Sequence, residues 1–499
     1  MANKLSQDCT PIFNGLKKYI ADGTIPFHVP GHKQGRGLHE FRDFVGEQVM
    51  AIDLTCFAGT DNICNPLDVI KEAQELTAEA YGADHAYFLV NGTTSGIQAM
   101  IMSVCQPGDK LIVPRNAHKS AIGGIILSGA IPVYIQPEID EDLGIAVGVT
   151  PETLRRALHE HPDAKGVFIV NPTYYGFTSN LKEIVKIAHN YDIPVIVDEA
   201  HGAHLPFHPD LPMSAMAAGA DLSAVSTHKM GGSLTQSSVL LLKKGLVDPK
   251  RVKAVLNLSQ TTSPSYILLA SIDVARKQMV QQGHAMLSQA LELAHYARIG
   301  INSIDGLAVV GDDQLGQPGR YGWDPTKLIV DVRGLGLSGF EVETLLRRKY
   351  KIQVELADLY NVLFIISIGD DRVMIDYLIN CMRDIAADHT LKNVVKLPTY
   401  LPDPPEQVVS PQEAFYSDTR LVALEDAEGK ICAEMIMAYP PGIPLICPGE
   451  VITQEIIDYV RVLKHEHCQL QGTEDPMMER IKVLSRRFVL VQPSETQVG

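Results

Sequence analysis

Between about residue 70 and residue 242, short apolar runs alternate with stretches of helical periodicity, and this alternation constrains the fold more than any other feature. Strands that are apolar on both faces need helices on both sides, as in a mostly parallel sheet. The predicted strands are 86–90, 110–114, 132–135, 166–170, 194–197, 221–225 and 238–242, and the predicted helices are 69–81, 94–104, 117–127, 151–160 and 181–190. The sequence therefore predicts an α/β domain built on a mostly parallel, mixed sheet.

The rest of the chain is predicted to pack around this domain. Residues 1–70 hold one amphipathic segment, Pro11 to Ile20, followed by loop-like sequence, which favours an arm over an independent domain. The predicted units are the arm 1–70, a large domain 71–310, a small α+β domain 311–397, a proline-rich linker 398–411 and a C-terminal α+β domain 412–499. In the small domain we predict strands at 327–331, 352–355 and 363–367 and a helix at 339–350, and residues 265–298 predict one long helix or two.

Composition excludes several classes of partner. The net charge is −16 and no basic tract is present, which argues against nucleic acid because phosphates require a basic face. The eight cysteines form no CxxC pair, which is typical of reduced thiols in a cytoplasmic protein. We find neither a signal-peptide pattern nor an apolar stretch long enough to span a bilayer. We therefore expect a cytoplasmic protein that does not bind membranes.

Two polar residues follow neighbouring predicted strands and indicate a specific chemistry. The apolar run before Asp198 ends in Asp-Glu-Ala-His201, and the run before Ser226 continues as Ser-Thr-His-Lys229. Ligand groups gather at the carboxyl ends of strands in open α/β sheets, so Asp198 and Lys229 are expected to meet there. Pyridoxal phosphate (PLP) needs a lysine for its aldehyde and an acid for its ring nitrogen, and these residues supply both. The alternative for Asp198 is a structural helix cap, and for Lys229 a surface lysine.

Further residues could complete such a site. The segment Asn91-Gly-Thr-Thr-Ser-Gly96 lies between a strand and a helix, where hydroxyls and free backbone N–H groups can bind phosphate. A simple helix cap is the commoner explanation for such a segment, but its position at the first strand end of the sheet favours a phosphate site. His118, also after a strand, could stack on the ring or could be structural.

Two motifs suggest other chemistry, but we do not predict a functional site at either of them. Gly334 to Gly339 with Asp358 fits a dinucleotide fingerprint but lies far from the main sheet and lacks a second βαβ unit. His201, His204 and His208 could suggest a metal site, but the intervening prolines prevent a helix from aligning them. We therefore predict no metal.

Seven motifs in a fixed order, spread over nearly the whole chain, resemble those of the Orn/Lys/Arg decarboxylases, which are PLP enzymes of the aspartate-aminotransferase fold type. They are Pro30-Gly-His-Lys33, Asn91 to Gly96, Arg115-Asn-Ala-His-Lys119, Asp198 to His201, Ser226 to Lys229, Thr261-Thr-Ser-Pro-Ser-Tyr266, and Pro440-Pro-Gly-Ile-Pro444 with Pro448-Gly-Glu450. The chain resembles the short form of this family, because the arm starts almost at its N-terminus.

The resemblance implies a role for each of these positions. Lys229 would be the Schiff-base lysine, and Lys229 or His228 would return a proton to the substrate. The other predicted cofactor contacts are Asp198 at the ring nitrogen, His118 on the ring, His201, and Thr93, Thr94, Ser95, Ser226 and His228 at the phosphate. Thr262, or its neighbour Thr261, would reach the phosphate of a partner subunit, so a homodimer or tetramer is expected. His201 stands where some longer members carry tryptophan, which leaves that part of the site open.

The substrate implied by the resemblance is a basic amino acid. The short form is most similar to biosynthetic arginine decarboxylases, which make agmatine for polyamine synthesis, while lysine and ornithine remain open. Acidic partners for the substrate cation would be Glu355, Asp358 and Asp61. An α-oxoamine synthase, a non-catalytic regulatory homologue and, more remotely, an NAD enzyme are the alternatives from other classes.

Overall fold

The structure is a computed structural model that describes residues 6–389, 402–438, 442–466 and 468–485. Pro440 and Pro441 of the C-terminal motif, residues 398–401 of the predicted linker and the last fourteen residues of the predicted C-terminal domain, 486–499, lie outside the described residues.

The elements follow the chain in four groups. The N-terminal part contains α1 (Pro11–Ala21), α2 (His39–Val45), α3 (Glu47–Ala51) and α4 (Val69–Tyr81). The large domain continues with β1 (His85–Leu89), α5 (Gly92–Val104), β2 (Lys110–Pro114), α6 (Lys119–Ser128), β3 (Ile131–Ile135), β4 (Ile139–Asp140), β5 (Ile145–Ala146), α7 (Pro151–Glu160), β6 (Gly166–Val170), β7 (Phe177–Thr178), α8 (Leu181–His189), β8 (Val195–Asp198), α9 (Ala215–Ala218), β9 (Leu222–Val225), α10 (Thr227–Met230), β10 (Ser238–Leu242), α11 (Pro249–Ser259) and α12 (Tyr266–Asn302). The small domain contains β11 (Ala308–Val309), β12 (Gly322–Trp323), β13 (Lys327–Asp331), α13 (Gly339–Lys349), β14 (Leu356–Ala357), β15 (Asn361–Ile365) and α14 (Arg372–Asp388). The C-terminal part contains α15 (Pro411–Tyr416), β16 (Thr419–Ala423), β17 (Ile436–Ala438), β18 (Ile443–Ile446), α16 (Gln454–His465), β19 (Leu470–Gln471) and β20 (Arg480–Leu484).

The large domain is organised by a seven-stranded sheet in the order β1-β10-β9-β8-β6-β2-β3. The pairs from β9 to β3 are parallel, whereas β10 runs antiparallel to both β1 and β9. The predicted α/β fold with a mostly parallel mixed sheet is confirmed. Asp198 is in register with Val170 on one side and Ala224 on the other, so three strands end at the same edge.

Successive side chains of each strand point to opposite faces of this sheet, and both faces are buried. Val195 and Val197 pack into one apolar cluster and Ile196 into the other, all with no exposed surface. Each fully buried aliphatic side chain contributes roughly 1.5–3 kcal/mol relative to an exposed one. This double burial holds the strand ends, and the polar residues that follow them, in fixed positions.

Apolar clusters also form around the small-domain sheet, together with the end of α12, and in the C-terminal part. The predicted domain boundaries stay a prediction. The small domain has a four-stranded sheet, β11-β13-β15-β14, whose pairs are all antiparallel. The strand predicted at 352–355 is wrong, because the observed edge strand is β14 at Leu356–Ala357, where the chain pairs with β15. Residues 266–302 form one continuous helix.

The arm contains more helix than the sequence predicted. The stretch treated as loop includes α2 and α3, which are only seven and five residues long, and α2 buries none of its residues. Among the described helices, including the long α12, none has the length of apolar sequence needed to cross a bilayer.

Candidate active site

A cavity of about 980 Å³ opens at the edge where the central strands of the large sheet end. Its lining comes from the large domain, from the small domain at Glu355 and Asp358, and from the C-terminal part at residues such as Leu445 and Tyr459. This position is the one expected for ligands of open α/β sheets.

Asp198 and Lys229 both line this cavity. Asp198 is the last residue of β8 and is 5% exposed, and its Oδ1 accepts a hydrogen bond from the backbone N–H of Ala200 at 3.1 Å. Burial raises the pKa of Asp198, while the Ala200 N–H and the Lys229 charge act in the opposite direction. A buried carboxylate with so few donors is suited to a protonated ring nitrogen.

Lys229 is held on the short helix α10, directly after β9. Its Nζ lies 2.8 Å from Nε2 of His201 and 5.5 Å from the ring centroid of Tyr174. Burial lowers the pKa of Lys229, opposed by the charges of Asp198 and Glu355. A lowered pKa favours the neutral amine, which is the form that attacks an aldehyde.

His201 is buried and its pKa lies well below its usual range, because burial and the Lys229 charge both disfavour the imidazolium. An ammonium can only donate, so Nε2 of His201 accepts from Lys229 when the lysine is charged. The hydrogen of the neutral imidazole then sits on Nδ1, which has no hydrogen-bond partner among the described residues.

A group of hydroxyls and a helix N-terminus lie at another part of the cavity. Thr93 Oγ1 is 2.5 Å from Ser226 Oγ and 2.8 Å from Ser238 Oγ. Helix α5 begins at Gly92, and the side chain of its N-cap, Asn91, accepts no hydrogen bond from the helix, so the first backbone N–H groups are not capped by it. Hydroxyls beside the N-terminus of a 13-residue helix form an anion site suited to a phosphate.

The remaining predicted phosphate residues differ in position. Thr94 and His228 line the cavity, whereas Ser95 does not, and its Oγ donates to the carbonyl of Gly92 at 2.8 Å. His228 Nδ1 lies 2.8 Å from the carbonyl oxygen of Ser237 and must donate to it, so the Nε2 of the neutral ring carries no proton. Burial lowers the pKa of His228 and favours this neutral form.

His118 lines the cavity at the start of α6, where its side chain caps the helix. Nδ1 accepts from the backbone N–H of Ser120 at 3.2 Å, and burial together with the nearby Lys229 lowers the pKa of His118 to about 4. The imidazole is therefore neutral near pH 7, with its hydrogen on Nε2. A neutral flat ring fixed at a helix cap can lie against a cofactor ring without adding charge.

The predicted substrate residues separate into two groups. Glu355 and Asp358 line the cavity; Glu355 Oε1 accepts from the Tyr174 hydroxyl at 2.7 Å, and Asp358 Oδ2 from the Tyr175 hydroxyl at 2.6 Å. Asp61 is not part of the lining. It lies in the arm, where its carboxylate accepts backbone N–H groups at the start of α4 and these bonds lower its pKa against the effect of burial. The structure thus gives Asp61 a capping position and does not bring it to the cavity of its own chain.

Thr262 lies outside the cavity of its own chain and is exposed. Its carbonyl oxygen is 3.9 Å from Sγ of Cys56, and Oγ1 of its neighbour Thr261 accepts from the N–H of Ser263. Within a single chain these two threonines have no contact with the other predicted cofactor residues.

Comparison with known proteins decides the family. The profile of the Orn/Lys/Arg decarboxylase major domain matches residues 10–374, and that of the Orn/Lys/Arg decarboxylase C-terminal domain matches residues 396–477. The chain belongs to the Orn/Lys/Arg decarboxylase family. It is 48% identical over 486 residues to the arginine decarboxylase of Bacillus subtilis, covering 97% of this chain and 99% of that protein. It is 25% identical to the constitutive lysine decarboxylase of Escherichia coli over 554 residues, covering 91% and 77%.

Solved structures with a similar fold include a lysine decarboxylase and an aminotransferase. The Francisella novicida lysine decarboxylase LdcF matches with a TM-score of 0.83 at 24% identity, over 95% of this chain and 81% of that one. A Bacillus subtilis ureidoglycine-glyoxylate aminotransferase matches with a TM-score of 0.53 at 17% identity, over 64% and 84%. These likenesses show that the chain shares the fold of these two enzymes.

In this decarboxylase-family chain, Tyr174 is one of the cavity residues that sequence reasoning did not identify. Its ring lies 4.4 Å from that of His201, and its hydroxyl donates to Glu355, so it connects the surroundings of Lys229 with the small domain. Tyr174 follows the end of β6, and the rule that strand ends carry ligand groups could have identified it.

Proposed function

We propose that this protein is a PLP-dependent decarboxylase that converts L-arginine into agmatine and CO2. The observation that carries the chemistry is the presence of Asp198, Lys229 and the uncapped start of α5 in one cavity, which matches the three ends of PLP. For the substrate, the support is the high identity to proteins named arginine decarboxylases, compared with the low identity to lysine decarboxylases.

In this reaction the α-carboxylate leaves as CO2 and a proton takes its place on the α-carbon. PLP, when bound, supplies an electron sink for the electrons of the broken bond. Asp198 keeps the ring nitrogen protonated, because the loss of that proton would leave a buried carboxylate unpaired. Thr93, Thr94 and Ser226 would hold the phosphate at the start of α5, and His118 would pack on the ring.

Lys229 would hold the cofactor through its aldehyde, and the Lys229 amine would return the proton to the α-carbon of the substrate. His228 is a poorer donor, since its neutral ring carries its only N–H on Nδ1, where the Ser237 carbonyl already accepts it. His201, at 2.8 Å, holds the Lys229 amine in place.

Glu355 binds the guanidinium of the substrate. It lines the cavity, it already interacts electrostatically with Lys229, and the Tyr174 hydroxyl orients its carboxylate. A planar carboxylate fixed in this way suits the forked donors of a guanidinium. Asp358 serves mainly to support the loop that leads into β15.

The active enzyme is a homodimer or a larger assembly in which Thr262 reaches the partner's phosphate site. Thr262 is exposed in one chain, and the arm exposes large aromatic side chains, Phe27 at 93% and Phe44 at 90%. Exposed aromatic residues at this density are typical of an interface. All eight cysteines are unpaired, which supports a cytoplasmic location. Sedimentation of the purified protein tests the assembly, and a monomer that retains full activity would exclude it.

The decisive experiment is product analysis after the purified protein and PLP are incubated separately with arginine, lysine and ornithine. We expect agmatine and CO2 from arginine, without any acyl-CoA. Cadaverine or putrescine as the main product would change the substrate and leave the chemistry, whereas CO2 release only with an acyl-CoA would identify an α-oxoamine synthase. PLP binding without turnover of any of the three would indicate a regulatory homologue.

A further inference from the structure

The loop that carries His118 is held by the C-terminal part of the chain at both of its ends. We call residues 115–119, which run from the end of β2 to the first residue of α6, the His118 loop. At its far end the backbone N–H of Lys119 donates to the carbonyl of Gly442 at 3.0 Å. At its near end the guanidinium of Arg115 points into the C-terminal domain.

Arg115 makes three hydrogen bonds there. Nη2 donates to Oε2 of Glu450 at 2.9 Å and to the carbonyl of Leu445 at 3.0 Å, and Nη1 lies 3.2 Å from Sγ of Cys447. The guanidinium also lies over the ring of Tyr134, 5.0 Å from its centroid. The donors of the arginine are thus directed at one small region of the C-terminal domain.

The side chain of Glu450 is also buried and hydrogen-bonded in this contact. Its side chain has no exposed surface, and Oε2 accepts a second hydrogen bond from the backbone N–H of Cys447 at 2.7 Å. Its other oxygen, Oε1, has no hydrogen-bond partner within the residues that the structure describes. Removing one partner of such a buried pair leaves the other charge without compensation, so the pair strongly favours a single arrangement of the loop.

Within the described residues, the side-chain hydrogen bonds of His118 are local and join it to Ser120 in the first turn of its own helix. Its place in the cavity therefore depends on where the two ends of the His118 loop are held. We propose that Arg115 and Glu450 are positioning residues, through which docking of the C-terminal domain holds His118 against the PLP ring. This inference depends on the proposed binding of PLP.

The chain offers a matched control for Glu450. Glu434 is also a buried carboxylate of the C-terminal domain, and it accepts backbone N–H groups of Lys482 and Glu474, each at 2.8 Å. In the part of the chain that the structure describes, the Glu434 side chain has no hydrogen bond to the His118 loop. Replacing either glutamate with glutamine removes a buried charge from the same domain, but only Glu450→Gln acts on the loop.

The experiment compares PLP binding to the full-length wild-type, Glu450→Gln and Glu434→Gln proteins, by equilibrium dialysis and by the visible circular dichroism of the bound cofactor. We expect Glu450→Gln to weaken PLP binding about tenfold and to change the dichroism, because small displacements of a positioned group have large effects. Glu434→Gln is expected to bind PLP like the wild type. Equal behaviour of the two variants would overturn the inference.

A second comparison tests whether Glu450 acts through His118. In a His118→Ala background, Glu450→Gln is expected to cause no further loss of PLP affinity, and an undiminished tenfold loss there would contradict the proposal. Should Glu450→Gln fail to fold, Arg115→Lys, which keeps the charge but loses the forked geometry, is measured in its place with the same expectations. If the wild-type protein binds no PLP, the proposed function itself fails, and this result is distinct from equal binding by the variants.

Discussion

The carboxylates on the two walls of the cavity differ in how many hydrogen bonds they accept from the protein. On the large-domain wall, Asp198 accepts one hydrogen bond from the described residues, from Ala200. On the small-domain wall, Asp358 accepts hydrogen bonds from the Tyr175 hydroxyl and from the backbone N–H groups of Tyr360 and Asn361. The large-domain wall keeps its acid available for a ligand, whereas the small-domain wall satisfies this acid within the protein.

This difference predicts which residues act on ligands and which stabilise the fold. A buried carboxylate with few donors is costly unless a ligand completes it, while a fully bonded carboxylate stabilises the fold without one. Glu355 is intermediate, because it lies on the small-domain wall with only the Tyr174 hydroxyl as its described donor. Substitutions along both walls should therefore separate losses of activity from losses of stability.

The largest effect is expected for Lys229→Ala on the large-domain wall. The variant loses the amine that we propose binds the cofactor and returns the proton, so kcat should fall at least about 1,000-fold with the fold retained. Agmatine formation and thermal unfolding measure the two quantities. Lys250→Ala, at an exposed position in α11, serves as the control and should retain wild-type activity. If Lys229→Ala turned over arginine at a rate within tenfold of the wild type, the assignment of Lys229 on the large-domain wall as the reactive amine would be refuted.

An intermediate effect is expected on the small-domain wall, where Glu355→Gln and Asp358→Asn should differ in kind. A hydrogen bond to a charged group contributes about 1.5–3 kcal/mol, so Glu355→Gln should raise KM for arginine by about 10- to 100-fold with kcat little changed. Asp358→Asn should lower the free energy of unfolding by about 1–3 kcal/mol and leave KM within about threefold. Steady-state kinetics measure the change in KM, and denaturant unfolding measures the change in stability. A raised KM for Asp358→Asn with a loss of stability for Glu355→Gln would exchange the roles assigned to these two acids.

The smallest effect concerns Glu199, which follows Asp198 but is satisfied by Ala215 N–H and Ser223 Oγ, each at 2.7 Å. Burial raises the pKa of Glu199 to about 8, against the effect of these two donors. The folded state therefore holds a proton that the unfolded state releases near pH 4.5, and the stabilisation is complete below that pH and is lost as pH rises through 8.

Glu199→Gln should remove this dependence. Relative to the variant, the wild type should lose about 1–3 kcal/mol of unfolding free energy between pH 5 and pH 9. Denaturant unfolding at pH 5, 7 and 9 measures it, with the exposed Glu160→Gln as the control. Parallel pH profiles of the wild type and Glu199→Gln would show that Glu199 is ionised in the fold.

Prediction of secondary structure from the sequence was most successful for strands that are buried on both faces. The strands of the large sheet lie within one residue of their predicted positions at both ends, for example Gly166–Val170 and Ser238–Leu242, because a strand covered on both faces is apolar at every position. Prediction failed at β14, where a two-residue edge strand is defined by its pairing with β15 and not by its own composition. It also missed α2, whose residues all remain exposed or half-buried.

The sequence alone determined the order of strands and helices, and with it the placement of Asp198 and Lys229 at one edge of a sheet. Those consequences follow from local apolar patterns and from the rule that parallel strands end together. Only the tertiary structure decided that Tyr174 orients Glu355, that Asp61 caps a helix outside the cavity, and that Glu450 meets Arg115 across 335 positions of chain. Such contacts join segments distant in sequence, and their hydrogen-bond geometry depends on how whole domains pack.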